Sequence, residues 1–219
     1  MEQTVRRAAG AVFGAGGVAL FVTGLLHPQG DRGGYHKTIA VFLHDPSWPV
    51  AHWLGLVSII PVACALWVLV DTGWTRQSAV AWFGGRLLLV ALFFMSVEFA
   101  VELTSEHAAD AYAAGHVVPL VDLVEPMQTV GFPALGLGLA ALALGLRGAA
   151  PRWLAILAAL GATVTSVGAV LVEGFHLATF GPAFAGLALP TLWMAWAGVR
   201  LAVTKPAALP GRVAESVPA

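Results

Sequence analysis

Glu98 and Glu102 stand four residues apart, so on a helix they project from one face, with Glu106 drifting further round. Glu173-Gly174-Phe175-His176 is a Glu-x-x-His step. Three helical residues turn through about 300°, which returns both side chains to a common face. The same spacing occurs twice in di-iron carboxylate bundles and once here. Ser166, seven residues before Glu173, extends that face. His27 closes one apolar stretch and His52 opens the next. Taken together, Glu98, Glu102, Glu173, His176, His52 and His27 form a donor set suited to a transition metal ion, Zn²⁺, Fe²⁺, Mn²⁺ or Cu²⁺. Gln128 is placed to reach such a cluster and orient its ligands. Two of His27, His52 and His176 could instead be axial ligands to haem b. Only Arg32 and Lys37 would then be at hand for the propionates.

The elements that must hold these groups are membrane helices. The chain of 219 residues is 58% hydrophobic and 11% charged, with mean hydropathy +0.83. Soluble domains carry about 25% charge, so this composition cannot cover a water-facing surface. A helix needs roughly 20 mostly apolar residues to cross the hydrocarbon core. Six stretches qualify, at 8–26, 52–70, 81–106, 127–146, 153–175 and 182–203. They are long continuous runs without the alternation of a membrane barrel. The expected fold is all-α: a polytopic bundle of six transmembrane helices forming one domain over 1–203, with a flexible cytoplasmic tail at 204–219.

Basic residues set the orientation. Arg6, Arg7, Arg76, Arg86, Arg147, Arg152, Arg200, Lys205 and Arg212 all fall on one side of the six spans, leaving only Arg32 and Lys37 opposite. Both termini are therefore expected to be cytoplasmic, in the cell membrane. Span one ends Leu25-Leu26-His27-Pro28, which lacks a small-x-small cleavage site, and reads as a retained helix. All seven histidines and nine of the twelve carboxylates then lie on the extracytoplasmic side. Topology explains the basic bias but does not require this gathering of imidazoles and carboxylates.

The two long connections lie on the histidine side. In the first, Ile39–Leu43 between polar ends predicts a short interfacial helix, with Trp48 and Trp53 as headgroup-level anchors. His36 and His44 are its solvated ends. In the second, Asp122 and Glu125 precede Pro126 as favourable charges at a helix start. Gly10 and Gly14 in span one, and Gly131, Gly136, Gly138 and Gly145 in span four, predict close helix packing or room for a flat cofactor. Pro61, Pro133 and Pro190 fall inside spans two, four and six.

A net charge of −1 gives no support for nucleic-acid binding, and the single cysteine, Cys64, excludes an intramolecular disulfide. No deep lysine is available for a Schiff base, and CxxCH, HExxH, GxSxG and phosphate-loop motifs are absent. Four functions remain. One is a membrane metalloprotein, as an embedded oxidoreductase or hydrolase. The others are a b-type haem protein for electron transfer or gas sensing, a small proton- or cation-coupled transporter, and an accessory subunit of a membrane complex. The expected partners are the lipid bilayer, a small molecule or ion arriving from the extracytoplasmic side, and further copies or a larger complex.

Overall fold

In the computed structural model, residues 2–29, 34–175 and 180–204 are described. Among these residues eight α-helices follow in order: α1 Glu2–Leu26, α2 Tyr35–Leu43, α3 Ser47–Asp71, α4 Ala79–Glu102, α5 Ala109–Ala113, α6 Pro119–Gly145, α7 Arg152–Ala169 and α8 Phe180–Val203. Among the described residues there is no strand. Six of the helices, α1, α3, α4, α6, α7 and α8, are long and apolar enough to cross a membrane. Their outward surfaces carry large apolar side chains such as Trp67, Phe93, Trp153 and Val199, which in lipid meet hydrocarbon. The chain is thus a multi-pass membrane protein. The expected tail begins at its last described residue, Thr204, and otherwise lies outside the described residues.

The six long helices form a closed ring. Each packs on two others, in the order α1, α3, α4, α6, α7, α8 and back to α1. Without a hydrophobic drive between helices in lipid, such contacts depend on close approach at small residues. The α1–α8 seam shows this: a Cβ on Gly17 would lie 2.8 Å from Met194 Cβ and from the Thr191 carbonyl oxygen. On the α4–α6 seam a Cβ on Gly138 would lie 2.8 Å from Leu88 N. Ser78 ties the same seam at its end, accepting from Ala81 N and donating to the Gly145 carbonyl, both at 3.0 Å. Gly136, Gly138 and Gly145 of span four thus sit at close helix contacts, whereas a Cβ on Gly131 would meet only ordinary ones.

Arg7 Nη2 donates to the Thr204 carbonyl at 3.5 Å, which puts the start of α1 and the end of α8 at one end of the ring. The turns bearing Arg76, Arg147 and Arg152 join helices at that same basic end. Arg86 lies exposed with its guanidinium 3.8 Å from the centre of the Trp82 ring. The opposite, histidine end carries the two long connections. The short helix expected there is α2. The second connection also contains a helix, α5, which the sequence does not announce. Phe42, Leu43, Trp48, Ala109 and Val172 pack together across this end as a small apolar cap separate from the main core.

Several spans differ from the expected bounds. α3 begins at Ser47, ahead of His52, because Asp45 Oδ1 accepts from Ser47 N at 2.8 Å and starts the helix after Pro46. α6 begins at Pro119, and Pro126 lies inside it. Proline is well placed in the first turn of a helix. Asp122 then sits in that turn and accepts from Val118 N at 3.0 Å, as a carboxylate at a helix start should. Span five leaves α-helical geometry at Val170, runs as a π-turn to Gly174, and breaks at Phe175.

Candidate functional site

His52 lies five residues into α3, and Glu98 and Glu102 form the last turn of α4, so all three enter the bundle at the histidine end. Each is buried: His52 and Glu98 are 1% exposed and Glu102 is 6%. An ionised side chain in the hydrocarbon region costs at least about 2.5–3.5 kcal/mol, which explains why they face inward and toward one another. His52 Nδ1 lies 2.7 Å from the Trp48 carbonyl, one helical turn back. A carbonyl only accepts, so Nδ1 carries a hydrogen. Nε2 is then directed at Glu102 Oε2, 2.9 Å away. Neither of these two atoms has a hydrogen bond to any other described residue. Two bare lone pairs at that distance repel, so a proton lies between them.

Gln128 completes the network from α6. Its Nε2 donates to Glu98 Oε1 at 2.7 Å and to Glu102 Oε1 at 3.1 Å. An amide nitrogen carries two hydrogens, one for each carboxylate. Gln128 thus reaches both carboxylates from the first half of α6.

Aromatic rings enclose the imidazole. Trp48 stacks on His52 with centroids 3.9 Å apart and planes tilted by 32°. Phe99 presents its edge from 5.2 Å, and Gly55 on α3 lies under the Phe99 ring, where any side chain would collide. His27 stands 5.2 Å from His52 and 5.4 Å from Trp48, with Phe42 of α2 edge-on at 6.1 Å. His27 Nδ1 lies 2.9 Å from the Pro28 carbonyl, so this ring too has its Nδ1 protonated. Burial, reinforced by the neighbouring His52 imidazole, pushes the His27 pKa down to about 3.

Trp48 was expected as a headgroup anchor together with Trp53. Only Trp53 is exposed, at 58%, whereas Trp48 is 3% exposed. Its Nε1 donates to the Glu102 carbonyl at 3.4 Å, joining the start of α3 to the end of α4. The sequence signal that could have placed it is Asp45-Pro46-Ser47, a helix start one turn before His52.

The structure therefore brings together His27, His52, Glu98 and Glu102, with Gln128, Trp48 and Phe99 around them. Glu173 has its backbone in the π-turn at the histidine end, and its side chain lies outside the described residues, as does the whole of His176. The expected common face of Glu173 and His176 assumed an α-helix; the backbone of Glu173 lies in the π-turn, and the rest of that expectation falls outside the described residues. Ser166 is buried and donates to the Ala162 carbonyl at 3.0 Å, a local helix bond. Among the described residues no group of three His, Cys, Asp or Glu side chains is placed to hold a metal ion. His36 lies in α2 with its side chain outside the described residues. His44 is exposed as expected of a solvated helix end, with Nε2 3.3 Å from Asp110 Oδ1 of α5.

Comparison with protein families, with curated proteins and with solved structures finds no match to this chain.

Proposed function

We propose that the chain is a small proton-coupled membrane transporter whose proton is loaded and released at the His52–Glu102–Gln128–Glu98 network. The observation that carries this is the 2.9 Å approach of His52 Nε2 to Glu102 Oε2 inside a membrane bundle, with one amide bridging both glutamates. Ionisable side chains within a membrane mark proton or ion paths more often than packing. Here the proton can sit on the imidazole or on the carboxylate with little movement of either. Gln128 keeps its two donors in place as the charge beneath them changes.

The test is an infrared titration of the purified protein in lipid, followed by proton uptake into proteoliposomes. Glu102→Gln should remove the carboxylic acid band that changes with pH and lower uptake at least tenfold, with the helical spectrum kept. An unchanged band and unchanged flux would defeat the proposal.

A second reading is favoured by one detail. An imidazole fixed through Nδ1 to a backbone carbonyl, with Nε2 aimed at the Glu102 carboxylate, is oriented as metal-ligating histidines are. In that reading His52 and Glu102 would be two ligands to Zn²⁺, Fe²⁺, Mn²⁺ or Cu²⁺, and a further donor would have to move in beside them, since no three such side chains among the described residues stand placed to share an ion. Elemental analysis of protein prepared without chelator separates the two readings, since stoichiometric metal lost in Glu102→Gln would favour the second.

A further inference from the structure

Six helices in a ring leave a space along its axis unless side chains fill it, and here they fill it incompletely. A cavity of about 70 Å³ runs down the interior. Along α4 its wall extends from Leu88 to Phe99, eleven residues, or about 16 Å at 1.5 Å per residue. A small volume drawn out over that length is a slot.

Two features explain the slot. The α1–α8 seam is tight at Gly17, yet at Gly24, seven residues on, an added Cβ would meet no described atom within 4 Å. The helices therefore part toward the histidine end, and Gly24 lies on the slot's wall. The lining is also almost wholly apolar. Its two hydroxyls are turned away: Thr23 Oγ1 donates to the Ala19 carbonyl at 3.0 Å and Thr191 Oγ1 to the Leu187 carbonyl at 2.9 Å. What they present inward is methyl. His27 alone among the described lining residues brings an imidazole, at the slot's histidine end.

We infer that this slot binds a single hydrocarbon chain, that of an amphiphile whose polar head rests beside His27. Apolar cavities without polar partners stay dry, so water is the wrong occupant. The slot's length and narrowness fit an extended chain and not a fused ring. Its depth is that of the bilayer's own acyl chains. The site lies beyond the proton network and does not depend on it, though Phe99 and His27 border both.

The test uses the full chain in nanodiscs of dioleoylphosphatidylcholine, with two photoactivatable probes. One is hexadecanol with a diazirine at mid-chain. The other is a phosphatidylcholine with the same diazirine in one acyl chain. After irradiation, peptide mapping should find crosslinks on Leu92, Met95 or Leu135, which are 2%, 3% and 8% exposed and turned away from lipid. Leu92→Trp should lower these at least fivefold and leave labelling of Phe93, 66% exposed on the lipid side, unchanged. Should Leu92→Trp not fold, judged by its helical spectrum, Met95→Phe takes its place. Interior labelling by the phospholipid identifies a bilayer lipid as the source of the chain, and labelling by hexadecanol alone identifies a free amphiphile. Either supports the inference. Crosslinks confined to lipid-facing residues with both probes, or interior labelling indifferent to the filled slot, would overturn it.

Discussion

At the scale of single residues, the chemistry rests on who donates to whom. Gln128 supplies both hydrogen bonds that bridge Glu98 and Glu102. Gln128→Leu should therefore take one hydrogen bond from each of two buried carboxylates and destabilise the fold by about 1–3 kcal/mol. Thermal unfolding in detergent checks this, with the surface variant Gln77→Leu as the silent control, since Gln77 is exposed. His27 makes a prediction about pH. Its folded pKa is about 3 against 6.5 when free. Below pH 6.5 the unfolded chain takes up a proton that the folded chain refuses. Stability is thus unaffected above that pH and falls as the pH drops toward 3. At pH 5 the loss is about 2 kcal/mol. His27→Phe should flatten this part of the pH–stability curve, and an unchanged slope would show that the ring protonates freely in place.

At the scale of elements, the legible and the illegible separate by cause. Apolar runs of membrane length announce themselves, so all six spans could be found. The four-residue spacing of Glu98 and Glu102 needed only a helix, and the cost of charge in lipid needed no partner's coordinates to turn both inward. Helix ends were harder, because they depend on local capping. Asp45 and Pro119 start α3 and α6 earlier than hydropathy alone suggests, and that shift turns Trp48 from an anchor into the residue whose carbonyl accepts from His52 Nδ1 and whose ring stacks on that imidazole. The π-turn at Val170–Gly174 was invisible for a different reason: spacing arguments assume a regular helix, and nothing in Val-Leu-Val-Glu-Gly declares the extra residue per turn. Gly55 gives a test at this scale. Gly55→Ala would push a methyl into the Phe99 ring. Overpacking of this kind costs about 1–3 kcal/mol, and moving Phe99 should also shift the infrared signature of the nearby His52–Glu102 pair. A variant that unfolds at the parent's temperature would show that the contact yields cheaply.

At the scale of the whole molecule, six spans in a closed ring put the start of α1 and the end of α8 at the basic end and α2 at the other. Reporter fusions at residue 40 and after residue 204 should therefore report opposite sides of the membrane. The excess of arginine at the basic end predicts that this end is the cytoplasmic one. Two reporters on the same side would break the six-span arrangement.

The adjacency of α1 and α8 also bears on how the protein is made. Of the six spanning helices, α1 is made before the other five and has α8, made after them, as one of its two neighbours. Until α8 arrives, the glycine-bearing face of α1 has only lipid against it, and the nascent assembly is an open arc. Quality control in the membrane would meet that arc during every round of synthesis. Chains stopped before residue 180 should accordingly be short-lived in pulse-chase measurements. Supplying α8 as a separate peptide should rescue them, because the missing piece is a seam and not a stretch of connected chain. A truncated chain as long-lived as the full one would show that the arc holds without its closing helix.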